Sequence, residues 1–329
     1  MTGDLQFDGL ELDAERTVDE ICRTLRTVLR TELKRRGLVV ALSGGIDSSV
    51  TAALAARAVG PERVFGLLMP ERDSSPETLP LSRCLAESIG IDYAIEDITP
   101  ALDGVRCYQR YDAAVRRAVP GYGPGWKSKI VLSPALGRVG YPLYSVVARS
   151  PSGETVTAQL RLHAYLEIVA ATNFKQRTRK MLEYYHADRL NYAVTGTPNR
   201  LEYDQGFFVK GGDGLADVKP IAHLYKTQVY QLAEHLGVPE RIRSQAPSTD
   251  TYSLEQTQGE FYFGLPHDKM DMCLYGLNHH ASAETVARRV GLEPEQVERI
   301  FQDIRRKRAA TRPLHVHSLL VSNVPQIHE

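Results

Sequence analysis

The run Val39-Val40-Ala41-Leu42-Ser43-Gly44-Gly45-Ile46-Asp47-Ser48-Ser49 constrains this chain more than any other stretch. Its apolar start is too short for a helix and rich in Val and Leu, so it reads as a buried strand of a parallel sheet. Gly44-Gly45 ends the strand, and a helical pattern resumes at Ser48 and continues through Ala52, Ala53, Leu54, Ala55 and Ala56. A strand, a glycine turn and a helix start gather backbone N–H groups at the positive end of a helix dipole, which is a ready anion site. The glycines let a phosphate approach the backbone closely, and Ser43, Ser48 and Ser49 offer hydroxyls. Asp47 is the odd member, because a carboxylate beside a phosphate is repelled unless a cation lies between them. Mg²⁺ suits that place, being a hard ion that prefers oxygen ligands and retains waters. An ordinary βα turn would account for small residues but not for two adjacent glycines, three serines and an acid together.

Composition narrows the classes. Lys plus Arg equals Asp plus Glu at 40 each, so no global basic field invites nucleic acid. The 329 residues suffice for one large α/β domain with additions, or for two domains. The acidic start, with Asp4, Asp8, Glu11, Asp13 and Glu15, has no apolar signal core, and no run approaches membrane-spanning length. Cys22, Cys84, Cys107 and Cys273 lack the spacing of a metal or redox pair, so reduced thiols in a cytoplasmic protein are expected.

Along the chain, residues from about Glu15 to Arg36 carry apolar positions at helical spacing, a helix packed on the sheet. Arg63 to Met69 supplies a second strand, and Tyr93 to Ile98 a third. Pro76 after Ser75 suits a helix start between them. This alternation predicts right-handed βαβ crossovers and a Rossmann-like, doubly wound parallel sheet. Residues 107–161 read as an insertion, broken at Gly121, Gly123, Pro124 and Gly125 and ending in a hairpin over Leu143–Leu160. A long helix then spans about Arg161 to His186. Asn191 to Thr195 makes a fourth strand, with Lys219 to Ile221 a short fifth. Residues 250–329 read as a helical C-terminal extension of one 1–329 unit.

Polar residues crowd the stretch from Thr195 to Lys226: Thr197, Glu202, Asp204, Lys210, Asp213, Asp217, Lys219 and Lys226. A solvated loop of mixed charge would look similar. Its position after a strand's carboxyl end, where ligands bind in such sheets, favours a functional reading. The histidines lack metal-type pairing, and no residue stands out as a covalent nucleophile.

Ser43-Gly44-Gly45-Ile46-Asp47-Ser48 resembles the pyrophosphate-binding loop of the N-type ATP pyrophosphatases. Across roughly Leu38 to Asp97 and Asn173 to Gly276 the chain is similar to the NAD synthetase family within that group. Arg177-Thr178-Arg179 resembles that family's Arg-Thr-Arg stretch, and Gly196-Thr197 with Glu202 its Gly-Thr and Mg²⁺-binding glutamate. Phe207-Phe208-Val209-Lys210-Gly211-Gly212-Asp213-Gly214-Leu215-Ala216-Asp217 is close to its most distinctive run. The resemblance implies an ATP site of Ser43 through Ser49 with Thr197, Lys226 and Ser248, and Mg²⁺ on Asp47 and Glu202. It implies an acceptor site of Arg177, Lys210, Asp213, Asp217 and Lys307. Ser248 stands where the family usually has Thr, and Arg306-Lys307-Arg308 where many members have His-Lys-Arg.

The implied activity is that of an ammonia-using ligase with ATP and Mg²⁺. It would adenylate the carboxylate of deamido-NAD, release pyrophosphate, and then form the amide of NAD and AMP. No nitrilase-like glutaminase region precedes the loop, so ammonia is expected free or from a separate glutaminase. The resemblance also implies a homodimer, with neither nucleic acid nor membrane as partner. Two other readings stay open: an amide ligase for a different small carboxylate, and a catalytically inactive nucleotide-binding regulator.

Overall fold

The computed structural model describes residues 7–132, 144–245, 251–256, 258, 262–322 and 324. Helix α1 (Ala14–Val28) starts where Asp13 caps it, its carboxylate accepting from the Arg16 amide at 3.0 Å. It gives way to one wide turn at Leu29–Leu33 instead of running on to Arg36. Strand β1 (Leu38–Ala41), α2 (Ile46–Val59), β2 (Val64–Leu68), α3 (Thr78–Ile89) and β3 (Asp92–Ile95) follow. Helices α4 (Thr99–Gly104) and α5 (Cys107–Arg116) lead to β4 (Lys127–Leu132), β5 (Tyr144–Arg149) and β6 (Thr155–Gln159). The long α6 (Leu162–Leu190) then enters β7 (Ala193–Thr195). Short α7 (Arg200–Gln205), α8 (Lys226–His235) and α9 (Glu240–Arg243) precede α10 (His267–Asn278), α11 (Ala283–Val290) and α12 (Pro294–His315).

The main sheet is parallel, in the order β3-β2-β1-β7. Both faces are covered, which the strand residues record one by one. Leu38 and Val40 point into a core shared with α1, α2, α3 and α8, while Val39 points into another shared with α4, α5 and α6. The order reverses at β1: the chain steps outward through β2 to β3, and β7 returns to the other side of β1. That reversal places a crevice beyond the carboxyl ends of β1 and β7. The expected fifth strand is reduced to a single parallel bridge, Thr195 to Val218. The expected start of α3 at Pro76 is a turn instead, and the helix begins at Thr78 without a side-chain cap.

The hairpin expected in the insertion is the outer part of a three-stranded antiparallel sheet, β4-β5-β6. Leu143 lies outside the described residues. Tyr144, Val146, Ala148, Val156, Ala158 and Leu160 all face one satellite core, completed by α5, the start of α6 and Tyr252. Two strands alone would be marginal in water; the third strand and two helices make this unit self-consistent. The C-terminal helices build two further cores around Leu274 and Phe301. All four cysteines are free, and burial pushes the Cys107 thiol up to about 11 and Cys273 up to about 12. Among the described residues no helix is long and apolar enough to cross a membrane.

Candidate active site

A cavity of about 460 Å³ opens at the crevice and is lined by Ser43, Gly44, Gly45, Ile46, Asp47 and Ser48. Gly44 sits at φ +72°, and a Cβ there would lie 3.0 Å from both Leu81 Cβ and the Thr78 carbonyl, so the tight turn requires glycine. No side chain caps the α2 N-terminus. The serines instead brace the loop. Ser48 Oγ donates to the Gly45 carbonyl at 3.0 Å and accepts from the Ser43 amide at 3.3 Å. Ser49 is fully buried, its Oγ donating to the same carbonyl at 2.8 Å, so it shapes the loop from behind and does not line the cavity.

Asp47, Asn199, Glu202 and Lys226 converge beside this loop. The Lys226 ammonium, almost wholly buried, donates to Asp47 Oδ2. Burial works against that cation, but Asp47 and Glu202 together outweigh it and its pKa is raised. Lys226 is held in place from behind by Asp271 of α10, whose carboxylate accepts from the Lys226 and Thr227 amides at 3.2 and 2.7 Å. Glu202 is pushed up to about 8, by burial first and then by the neighbouring charge of Asp47.

Asn199 links the two acids. Its Nδ2 donates to Asp47 Oδ1 at 3.1 Å and its amide to Glu202 Oε2 at 3.1 Å, while its Oδ1 accepts from the Glu202 amide at 3.2 Å. This is a capping box on α7 that also aims the glutamate. Gln258 Nε2 holds Glu202 Oε1 at 2.8 Å.

The donor set fits Mg²⁺. Asp47 and Glu202 both line the cavity, and the charge of Asp47 adds to burial in pushing Glu202 up, a cost that an added cation relieves. Among the described residues no group of three or more His, Cys, Asp or Glu forms a closed cage. That agrees with an ion bound through one or two carboxylates and completed by phosphates and water. Thr195 Oγ1, buried in the cavity wall, has no hydrogen-bond partner among the described residues.

The remaining expected residues divide. Thr197 and Asp213 line the cavity, and Asp213 Oδ1 accepts from the Val209 amide at 2.7 Å. Arg177 lies on the exposed side of α6, its Nε donating to the Lys210 carbonyl at 3.3 Å. Lys210 Nζ reaches the carbonyls of Pro313 and Val316 at 2.9 and 3.3 Å. Asp217 accepts from the Val194 amide at 2.7 Å and the Tyr184 hydroxyl at 3.2 Å. Lys307 stands behind the wall residue Tyr262, donating to its carbonyl at 2.6 Å and to Asp303 at 2.7 Å. Ser248 lies outside the described residues.

Sequence reasoning missed Asn199 and Gln258, and it missed the inner face of α6. There Thr172, Gln176, Arg179, Lys180 and Glu183 line the cavity. Lys180 Nζ donates to Glu183 at 2.6 Å, both nearly inaccessible. Two signals were available: Asn199-x-x-Glu202 is a capping-box pattern, and the polar stripe on α6 recurs at three- and four-residue spacing.

A glycine–serine loop at the reversal of a parallel sheet, with paired carboxylates and a buried lysine, defines a nucleotide-binding α/β protein. The chain belongs to the NAD synthase family, whose model matches residues 17–117 and 147–312. It is 59% identical over 320 residues to the NH(3)-dependent NAD(+) synthetase of Rhizobium meliloti (strain 1021), covering 97% of this chain and 96% of that one. It is 34% identical to the NH(3)-dependent NAD(+) synthetase of Thermotoga maritima, covering 82% and 88%. The fold is also that of the NH3-dependent NAD synthetase from Campylobacter jejuni, with a TM-score of 0.61 at 22% identity over 94% of this chain and 100% of that one. The stretch left out of the family match, 118–146, contains β4 and the first residues of β5.

Proposed function

We propose that the protein joins ammonia to the carboxylate of deamido-NAD at the expense of ATP, giving NAD, AMP and pyrophosphate. The observation that carries this reading is the convergence of Asp47, Asn199, Glu202 and Lys226 on the loop Ser43–Ser48 in a family of NAD synthases. In the first step a carboxylate oxygen of the acceptor attacks the α-phosphorus, and the bond to the bridging oxygen of pyrophosphate breaks. In the second, ammonia attacks the acyl carbon, AMP leaves with its phosphate oxygen, and the nitrogen loses a proton. No side chain forms a covalent bond. The chain contributes position and charge: the α2 N-terminal amides and Lys226 receive the polyphosphate, while Arg179 and the Lys180–Glu183 pair line the same cavity. Mg²⁺ on Asp47 and Glu202 would offset the charge of the departing pyrophosphate.

The acceptor residues Arg177 and Lys210 sit outside the cavity, so we propose that a second copy of the chain completes that half. The exposed edge of α6 supports this. Leu162, Leu166, Met181 and Tyr185 are 72, 54, 61 and 59% exposed and recur at four-residue steps beside Ala170 and Arg177. A helix of 29 residues is about 44 Å long, enough for an extended antiparallel contact. The free thiols, three of them buried, agree with work in the cytoplasm. The deciding assay supplies ATP, Mg²⁺, ammonium and a panel of carboxylates including deamido-NAD, and reads AMP, pyrophosphate and product mass. Equal yields of AMP, pyrophosphate and NAD are expected. Amide formed only from another carboxylate would overturn the acceptor assignment.

A further inference from the structure

The lining of the cavity includes Thr251, Tyr252 and Gln258. What holds this part of it comes largely from the inserted sheet. Along its edge strand β4, the Leu254 amide donates to the Ser128 carbonyl at 3.2 Å, and the Ser128 amide donates to Ser253 Oγ at 2.9 Å. Lys129 Nζ donates to the Glu255 carbonyl at 3.0 Å, and Gln256 Nε2 to the carbonyl of the buried Ile130. Ser128 is itself fully buried, its hydroxyl sharing hydrogen bonds with Tyr111 and Tyr122 at 2.9 and 3.1 Å. Tyr252 is part of the insertion's own core. The segment therefore covers the open edge of the inserted sheet as an irregular fourth strand would. Two residues beyond Gln256, Gln258 reaches Glu202.

We infer that β4 is a positioning element for the active site: by gripping Ser253 and Gln256 it sets Gln258 against Glu202 and Tyr252 against the reacting groups. The insertion then acts as a scaffold for one wall and not as a flap over the opening. A second tether fixes the segment's other end. Lys175 of α6 donates to the Thr251 carbonyl at 2.9 Å while also binding Glu71 at 2.7 Å and Asp73 at 2.9 Å. Groups that orient a metal ligand in this way, without touching the metal, commonly govern its affinity. This inference rests on the proposed reaction for its kinetic readout.

The test compares the full chain with Ser253→Ala/Gln256→Met and with Gln258→Leu. Hydrogen exchange reports the Leu254 amide, Mg²⁺-dependent binding of a non-hydrolysable ATP analogue reports the metal pair, and the ratio of AMP released to amide formed reports exclusion of water. The double variant should fold with its overall exchange unchanged, lose protection at 251–256, need about ten-fold more Mg²⁺ and release excess AMP. Gln258→Leu should reproduce the Mg²⁺ defect with protection retained. Partial unfolding would lower AMP and amide together and leave their ratio unmoved. Protection retained in the double variant, or protection lost with Mg²⁺ dependence and ratio both unchanged, overturns the inference. A wild-type protein that makes no amide from deamido-NAD would refute the proposed reaction alone, since exchange and analogue binding still read the grip of β4.

Discussion

The nucleotide half and the acceptor half of this site follow opposite plans. In the first, the charged groups are answered from inside the chain: the buried Lys226 by Asp47, Asp47 by Asn199, Glu202 by Asn199 and Gln258. In the second, Arg177 and Lys210 spend their donors on backbone carbonyls at the surface, and Lys307 divides its ammonium between the Tyr262 carbonyl and Asp303. The difference follows from topology. A strand-order reversal brings the ends of β1 and β7 together wherever the sheet forms, so a phosphate site there is complete in one folded chain. The acceptor groups come from three separate elements: Arg177 from the edge of α6, Lys210, Asp213 and Asp217 from the loop after α7, and Lys307 from α12. If the acceptor half is finished only on assembly, as proposed, the two halves should respond differently to mutation.

The nucleotide half should fail most sharply. Asp47→Asn keeps the volume but removes a metal-ligand charge and the partner of a buried lysine. Its kcat should fall by about 10²–10³-fold, the cost of losing one pre-organised electrostatic contact, with circular dichroism unchanged. AMP release at the wild-type rate would refute the role of the pair. Asn199→Ala removes the link between the acids and a helix cap. We expect a loss of about 10–100-fold in kcat/KM, as for other groups that orient metal ligands. A lowered Tm should accompany it, from about 1 kcal/mol of lost capping. A Tm loss alone, with kinetics intact, would reduce Asn199 to a cap.

How much of this was legible in the sequence follows the same division. Val39 to Ser49 specifies its own local structure, because a buried strand, two glycines and a helix start leave the backbone few alternatives. The crevice then follows from βα alternation alone. Asn199 lies four residues past the fourth strand, within a capping-box pattern, but its second role depends on Asp47, 152 positions away in sequence. Strand β4, Lys127-Ser128-Lys129-Ile130-Val131-Leu132, follows a glycine- and proline-rich stretch and buries only Ser128 and Ile130 fully, so its pattern is weak without β5 beside it. Arg177 illustrates a different limit. The motif identifies the residue, but one step along a helix turns a side chain by about 100°, and that separates Gln176 in the cavity wall from Arg177 on the outside.

A change on the α6 edge should separate the halves. Leu166→Glu/Met181→Glu places like charges on an apolar seam that is 54 and 61% exposed in the single chain, so folding should survive. The expected result is a monomer by light scattering, with KM for deamido-NAD raised and analogue binding at the nucleotide half unchanged. A dimer that persists would move the interface elsewhere, and a monomer with wild-type KM would mean one chain suffices for the acceptor.

The smallest effect, and the finest test, belongs to Arg177→Ala. In the single chain this guanidinium makes one long hydrogen bond, at 3.3 Å, to the Lys210 carbonyl. Its removal should therefore leave the unfolding free energy within about 0.5 kcal/mol of wild type, as for other surface substitutions. If Arg177 serves an acceptor bound across two copies, it loses a charge-assisted contact to an anionic group, worth about 1.5–3 kcal/mol. KM for deamido-NAD should then rise by roughly ten-fold or more, while KM for ATP stays within two-fold of wild type (an approximate bound set by additivity between distant sites). The two parameters moving together would place Arg177 in the nucleotide half after all. Neither moving would leave the exposed edge of α6 without a part in acceptor binding, and the acceptor would then have to be held by Asp213, Arg179 and Lys180 inside the cavity.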